Sequence, residues 1–237
     1  MPSLFDEDEY LTMADLGAQG ASGEAVVWDG EQGTEDWLHI RSGIITGSNA
    51  GLLINADGGP SKSKSIVAFT NLCVAETLAG FPEPSGGVGK AADRGTELEP
   101  HARRWYEAMR GVDVRETGFV YRDESRSSGV SPDGVCADRC IEIKCLMRTG
   151  MIGALRYIDK HGKPPTAYIP QMQMQMWCMK LDLCDFILFT PEFRIPNRIV
   201  TVEADPVAQA NLDELVPKFA ADVTRIAEDI ARNGGAL

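Results

Sequence analysis

The sequence lacks long apolar segments. No apolar run in the 237 residues approaches the ~20 residues that a membrane-spanning helix needs. The first residues also lack the basic stretch and the following apolar stretch that mark a secretory signal peptide. We therefore expect a cytoplasmic protein without a membrane partner. Its hydrophobic content of 43% is enough for a substantial core.

Ligands for a soft metal are scarce. The chain has only three histidines, and its six cysteines include no Cys-x-x-Cys pair. A zinc site and an iron–sulfur cluster are therefore disfavoured. The cysteines are expected to be reduced thiols, as is usual in a protein that is not exported.

A phosphate-binding P-loop is missing as well. The segment SGGVGKAAD (residues 85–93) comes nearest to one, but Pro84 stands where the first glycine belongs. Ala91 replaces the Ser or Thr that would meet Mg²⁺. This disfavours an ATP-driven enzyme. The Pro and Gly content of residues 81–95 predicts a loop instead.

Basic residues are absent from the N-terminal part of the chain. The net charge is −12, and residues 1–36 contain ten acids with no Lys or Arg. We interpret residues 1–33 as an acidic, loosely ordered extension and residues 34–237 as one domain of nearly neutral charge. The extension is most simply a solvated tail, and the alternative is an acidic docking or DNA-mimicking segment.

The order of apolar patterns predicts a mixed α/β fold. Helical spacing predicts helices over residues 65–79, 96–110, 168–181 and 205–234, a short helix after the N-cap Thr34, and another that begins with Ser48 as its N-cap. The pieces GFVYR, SSGVSPDG, CIEIKC and CDFILFTP predict strands. Helices, a compact set of strands, and further helices indicate a single domain with charged strands at its centre.

The segment SPDGVCADRCIEIKC (residues 131–145) concentrates charged groups. In a strand, Glu142 and Lys144 share one face, and the apolar residues around them share the other. A hairpin would bring Asp133 beside them. Two carboxylates with one lysine repel each other, whereas their hard oxygens suit a divalent metal. On the E-x-K pattern alone, an ordinary surface ion pair is the favoured interpretation.

Two further polar residues shift the balance toward a functional site. Glu99 lies on a partly apolar stripe of the helix predicted over residues 96–110, where an unpaired carboxylate would be costly. Gln171 begins the Met-rich run QMQMQMW, in which Gln173 and Gln175 could take its place. An amphipathic core helix is the simpler interpretation of that run alone.

Together these motifs resemble a known family. SPDG, IEIKC and YIPQMQMQMW resemble the PD-(D/E)xK nucleases, and more narrowly the phage lambda exonuclease and YqaJ-like viral recombinase nucleases. The resemblance extends to WLHIRSGIITGSNAG, RGTELEPHARRWYE and YRDESRSSGVSPDG, and it covers roughly residues 35–220 in the family's order. It implies a restriction-endonuclease-like fold, in which a mixed β-sheet is flanked by α-helices.

The resemblance implies a metal centre that cleaves a phosphodiester. Asp133 and Glu142 would bind Mg²⁺, for which Mn²⁺ can substitute, and the carbonyl of Ile143 would be a third ligand. Lys144 would orient or activate the attacking water and stabilise charge on the phosphate. Glu99 would support the metal or its waters.

The resemblance also implies a site for the end of the DNA. Gln171 would help to hold the nucleophilic end of the catalytic site. Arg41 would bind the terminal 5′-phosphate, with Ser48 assisting it and Trp37 contributing to DNA binding. From spacing alone, Arg41 would instead make a surface salt bridge, and Ser48 would be a plain helix cap.

The implied activity is Mg²⁺-dependent, ATP-independent 5′-to-3′ digestion of linear double-stranded DNA. It would release mononucleotides and leave 3′ single-stranded overhangs for recombination by strand annealing. The expected partners are double-stranded DNA ends, other copies of the chain in a homotrimeric ring, and a single-strand annealing protein of the phage type.

Three alternatives stay open. One is a nuclease of the same superfamily with an iron–sulfur cluster, of the CRISPR-associated or AddB-like type, although the cysteines that it needs are missing. A second is an endonuclease of the superfamily. The third is a non-catalytic module that binds DNA ends, which is disfavoured because every expected catalytic position is filled.

Overall fold

The structure is a computed structural model that describes residues 10–16, 25–84, 90–195 and 197–234. The acidic residues 6–9 and the glycine-rich residues 85–89, for which a tail and a loop are predicted, lie outside these ranges. None of the described helices has the length and apolar character that a membrane span requires.

Within these ranges the first sheet has five short strands: β1 (Tyr10–Thr12), β2 (Val26–Trp28), β3 (Ile45–Thr46), β4 (Phe119–Tyr121) and β5 (Ser128–Val130). Their order is β1-β2-β4-β5-β3. The pairing of β3 with β5 is parallel, and the other pairings are antiparallel.

The second sheet has four strands: β6 (Gly134–Val135), β7 (Arg139–Lys144), β8 (Leu183–Leu188) and β9 (Arg198–Glu203), in the order β6-β7-β8-β9. β7 and β8 are parallel, so the chain must cross over between them. The predicted mixed α/β fold with helices around a mixed sheet is confirmed, although the strands are divided between two sheets.

The described residues form six α-helices in addition to the sheets: α1 (Glu35–Ile40), α2 (Ser65–Ala79), α3 (Lys90–Arg110), α4 (Arg148–His161), α5 (Ile169–Met179) and α6 (Pro206–Gly234). α4 and α5 lie in the crossover between β7 and β8. The structure confirms the predicted limits of α2, which ends at Gly80 in a left-handed conformation with φ of 78°. α3 begins at Lys90, inside the segment predicted as a loop, because the alanines after Lys90 favour helix despite Gly95.

The predicted helix capped by Ser48 is a short 3-10 helix, Gly47–Leu52. Thr46 occupies the N-cap position, and Ser48 lies inside the element with its Oγ 3.2 Å from Oγ1 of Thr46. The cap prediction was therefore wrong by two residues. Two glycines in six residues weaken an α-helix, and 3-10 geometry suits such a short turn.

The described part of the N-terminal segment belongs to the first sheet. β1 pairs with β2, and β2 pairs with β4. Met13 and Leu16 are 0% and 5% exposed and pack in the main core. The prediction of a loosely ordered extension does not hold for these residues. The run VVW in β2 has the branched and aromatic side chains typical of buried strands.

α5 lies in the middle of the main core. It packs against the 3-10 helix, β4, β5, β7, β8 and α6, and its residues from Met172 to Met179 are buried. The predicted core positions Met172, Met176 and Met179 are fully buried. Because α5 is enclosed, the glutamines between its methionines lie in the protein interior and need polar partners there.

Candidate active site

The hairpin of β6 and β7 brings Asp133 next to the charged strand. Gly134 pairs with Ile141, so Asp133 stands at the end of β7 that carries Lys144. Oδ2 of Asp133 accepts a hydrogen bond of 2.6 Å from the N–H of Ile143. A side chain at Gly134 would collide with Val114, so glycine permits this close approach.

Glu142 is fully buried and is held on both carboxylate oxygens. Oε1 contacts the ammonium of Lys144, as expected for residues that share one face of a strand. Oε2 accepts hydrogen bonds from the side-chain amides of Gln171 at 2.9 Å and Gln175 at 2.6 Å. A buried carboxylate is tolerated only with such partners.

The charges at this hairpin influence one another. Burial, together with the nearby Glu142, raises the pKa of Asp133 well above its ordinary value. Burial disfavours the ammonium of Lys144, but the attraction of Glu142 and Asp133 outweighs it and raises the pKa of Lys144. One lysine therefore faces more negative charge than it can neutralise.

Glu99 lies on α3, beside the same carboxylates. Burial raises the pKa of Glu99, and the charge of Glu142 acts in the same direction, against Arg103 and Lys144. Glu99, Arg103 and Asp133 line a cavity of about 440 Å³. Arg103 links α3 to the start of the β6–β7 hairpin, because its Nη1 donates to the carbonyl of Asp133 at 3.1 Å. Its Nη2 lies 2.6 Å from Glu116.

The donor set at the hairpin is compatible with a hard divalent cation. Asp133 and Glu142 offer carboxylate oxygens, and Mg²⁺ is usually bound through one or two carboxylates together with waters and substrate phosphates. Within the described ranges, no group of three or more His, Cys, Asp or Glu side chains is arranged to hold a metal ion. Any such ion would therefore depend on the two carboxylates, a backbone carbonyl and non-protein ligands. The excess negative charge at Asp133 and Glu142 favours that cation electrostatically.

Arg41 lies at the C-terminal end of α1, stacked on Trp37. Its guanidinium carbon is 3.7 Å from the centroid of the indole ring. Burial lowers the pKa of Arg41 to about 10, and its buried Nε has no hydrogen-bond partner among the described residues. Trp37 is itself fixed, because its Nε1 lies 3.2 Å from the carbonyl of Gly118 and 2.9 Å from Oγ of Ser131.

One small cavity connects Arg41 to the glutamines that hold Glu142. Its volume is about 180 Å³, and its walls are Gln32, Trp37, Arg41, Thr46, Gly47, Ser48, Ser131, Gln171 and Gln175. The structure thus brings all four predicted residues of this region, Trp37, Arg41, Ser48 and Gln171, to one cavity. A half-buried arginine whose buried Nε has no partner among the described residues is suited to an anion such as a phosphate.

Comparison with known proteins identifies the family. The model of the YqaJ-like viral recombinase domain matches residues 36–182. The chain belongs to the YqaJ-like viral recombinase family. Membership in it makes the chain a deoxyribonuclease and confirms the predicted family. No match was found among curated proteins.

Solved structures agree with this YqaJ-like assignment. The chain is similar to the alkaline exonuclease LHK-Exo of Laribacter hongkongensis, with 32% identity, a TM-score of 0.72, and coverage of 85% of this chain and 98% of that chain. The complex of LHK-Exo with dAMP matches with 33% identity, the same TM-score of 0.72 and the same coverage of 85% and 98%. A phage-related exonuclease of Haemophilus somnus matches with 20% identity, a TM-score of 0.55 and coverage of 79% and 96%, which supports the fold alone.

Sequence reasoning misses two residues of the candidate site, Ser131 and Arg103, and considers Gln175 only as a substitute for Gln171. Ser131 precedes the Pro-Asp pair and accepts from Trp37, a contact that depends on tertiary packing. Arg103 is one helical turn from Glu99, a spacing that could have suggested it. Gln175 is four residues after Gln171, so helical periodicity places both on one face and Gln173 on another.

Proposed function

We propose that the chain is an Mg²⁺-dependent, ATP-independent 5′-to-3′ exonuclease on linear double-stranded DNA. It releases mononucleotides and leaves 3′ single-stranded overhangs for strand annealing. The observation that supports this most is the cavity that runs from Arg41 to Gln171 and Gln175, next to Glu142. Such a cavity can hold a terminal phosphate at one end while a phosphodiester reaches the carboxylates at the other.

In this proposal the roles follow from the positions of the side chains. Asp133, Glu142 and the carbonyl of Ile143 hold Mg²⁺, with Mn²⁺ as a substitute. When bound, the ion supplies Lewis-acid polarisation of the phosphate and a water of lowered pKa. Lys144 exchanges part of its contact with Glu142 for the water or the phosphate and stabilises the developing charge there. Glu99 accepts hydrogen bonds from waters at the carboxylate cluster.

In this proposal the direction of digestion is set by the binding of the terminal 5′-phosphate. Arg41, stacked on Trp37, binds the 5′-phosphate, and Ser48 donates its hydroxyl to the same group. Gln171 keeps the reacting phosphate at the far end of the cavity. Because the 5′ end is anchored, the first phosphodiester reaches the carboxylates and a 5′-mononucleotide leaves. The similar LHK-Exo is called an exonuclease and has been solved with the mononucleotide dAMP, which supports this product.

We also propose a homotrimeric ring that encloses the DNA and works with a single-strand annealing protein of the phage type. The charge distribution supports enclosure, since outside the first 36 residues 25 acids slightly outnumber the 23 Lys and Arg residues. Phosphate contacts alone would give such a surface only weak, salt-sensitive binding. A ring would keep the enzyme on its substrate without a strongly basic face.

The decisive experiment uses linear duplex DNA labelled at one 5′ end, with and without a 5′-phosphate, and no ATP. Release of the labelled mononucleotide in Mg²⁺ or Mn²⁺ but not in EDTA, faster from the phosphorylated end, is expected. Lys144→Ala should abolish it. Internal nicks or release from 3′ ends would refute the polarity while keeping the metal site, and light scattering of the free protein tests the trimer.

A further inference from the structure

The three glutamines of α5 divide into two groups by their contacts. Gln171 and Gln175, four residues apart, both donate to Oε2 of Glu142, at 2.9 and 2.6 Å. Gln173 points elsewhere, because it donates to the carbonyl of Glu203 at 2.9 Å and accepts from the N–H of Asp205 at 2.8 Å. Gln173 therefore joins α5 to the start of α6, whereas the other two meet at Glu142.

Gln171 and Gln175 differ in their access to a substrate. Gln171 is partly exposed in the first turn of α5 and can contact a molecule in the cavity. Gln175 is 1% exposed, and its partner Glu142 is fully buried. Gln175 lies in the wall of the same cavity but has almost no exposed surface, and its amide nitrogen is already bonded to Glu142, so we expect it to act on a substrate through Glu142.

Cys184 fixes the orientation of the Gln175 amide. Its Sγ lies 3.6 Å from Oε1 of Gln175, and a thiol there donates to the amide oxygen. This requires the amide nitrogen to face Glu142, since the oxygen is already engaged on the side of β8. A continuous chain of contacts thus runs from Cys184 through Gln175 to Glu142.

Two donors on one oxygen restrict the rotation of a carboxylate. With Oε2 of Glu142 occupied by two amides, Oε1 remains directed at Lys144. Hydrogen bonds behind a ligand commonly set both its orientation and its basicity. The orientation of the Glu142 carboxylate is therefore set before a substrate binds.

We propose that Gln175 is a positioning residue that holds Glu142 in the orientation needed for metal binding and cleavage, while Gln171 shares that bond and faces the DNA. This assignment rests on the proposed function. It divides the glutamines of α5 into a structural residue (Gln173), a positioning residue (Gln175) and a residue at the substrate (Gln171).

The test compares Gln175→Met with Gln173→Met as its matched control. Both replace a buried glutamine of the same helix with the residue that already surrounds it in the sequence. Gln175→Met is expected to lower kcat by about 10- to 100-fold and to weaken Mg²⁺ binding by a similar factor. It should leave KM for DNA and the preference for a 5′-phosphate unchanged. Gln173→Met should lower the melting temperature and leave kcat and Mg²⁺ binding of the folded protein unchanged.

Mg²⁺ binding is measured by calorimetry on the free protein, so it does not depend on DNA cleavage. If the unaltered protein fails to digest DNA, the proposed function fails, and the calorimetric comparison still decides the role of Gln175. Gln175→Ala, which cannot overpack the site, serves as a second variant. A kcat and Mg²⁺ affinity within threefold of the unaltered protein, in either folded variant, would overturn the proposal. If Gln175→Met and Gln175→Ala both failed to fold, the proposal would also be overturned, because Gln175 would then have a structural role like that of Gln173.

Discussion

The ammonium of Lys144 contacts Oε1 of Glu142, a carboxylate without any exposed surface. The pair lies beside Asp133, and the charge of Lys144 attracts both of these acids. In the free protein, Lys144 compensates part of the negative charge of these carboxylates. A bound metal ion or phosphate would displace the Lys144 ammonium from this contact. The pair therefore links the stability of this region to its proposed chemistry.

Lys144→Ala should greatly reduce activity and also destabilise the protein. Loss of a charged catalytic group typically costs about 10²- to 10⁴-fold in rate. Leaving a buried carboxylate without its cation typically costs about 3–5 kcal/mol, and the two amides on Glu142 place the expected loss near the lower end. Single-turnover rates and urea unfolding measure the two effects.

The double variant Lys144→Ala, Glu142→Gln separates the causes. Removal of the buried charge should restore most of the lost free energy of unfolding without restoring activity. If Lys144→Ala kept activity within tenfold of the unaltered enzyme, the pair would be an ordinary ion pair.

Mg²⁺ should stabilise the free protein through the carboxylates at the hairpin. A ligand that binds only the folded state adds about 2.7 kcal/mol at a concentration one hundred times its Kd. A rise in melting temperature with Mg²⁺ is expected, and EDTA should reverse it. Asp133→Asn should remove the response, whereas Asp229→Asn, at a half-exposed position of α6, should preserve it. An equal response in all three proteins would place the ion elsewhere.

Arg41→Ala should remove the preference for a 5′-phosphate. The buried Nε of Arg41 has no partner among the described residues, so the anion would satisfy it. We expect a loss of about 10- to 100-fold in kcat/KM on phosphorylated ends, and little change on 5′-hydroxyl ends. Competition between the two DNA ends measures the preference. The control is Arg225→Ala, which removes an exposed arginine of α6. This variant should digest both kinds of end as the unaltered protein does. A loss of the same size in Arg225→Ala would indicate a nonspecific effect of charge.

Tyr106→Phe should affect stability without affecting cleavage. The hydroxyl of Tyr106 donates at 2.8 Å to Asp185, a fully buried carboxylate that also lies 3.4 Å from Arg139 and 2.5 Å from Thr201. A hydrogen bond to a charged group contributes about 1.5–3 kcal/mol. Chemical denaturation should show a loss of that size, with kcat unchanged below the unfolding transition. A loss of kcat in the folded protein would instead connect Asp185 to the active site.

The parts of the fold with a strong local pattern could be predicted from the sequence. α2 has apolar residues at helical spacing and a terminal glycine, and its limits agree with the prediction. α4 was missed because Gly150 and Gly153 lower its intrinsic helix propensity. β9 was missed because its strand is only half-buried and its alternation is short.

The proximity of the candidate site residues could be predicted where they are close in sequence. Asp133, Glu142 and Lys144 belong to one hairpin, so strand geometry alone brings them together. The partners of Glu142 on α5 required knowledge of how that helix faces β7. Helical periodicity separates Gln173 from Gln171 and Gln175, but it does not show which face of α5 meets Glu142. The contacts that assign a separate role to each glutamine are visible only in the folded protein.

Pairing of β2 with β4 has a consequence for any shortened form of this protein. A chain that began at residue 34 would lose β1, β2 and the buried side chains of Met13 and Leu16. The backbone of β4, whose Phe119, Val120 and Tyr121 are now covered, would become an open apolar edge. Such edges recruit strands from other molecules. Removal of residues 1–33 would therefore yield a protein that aggregates rather than a shorter active form.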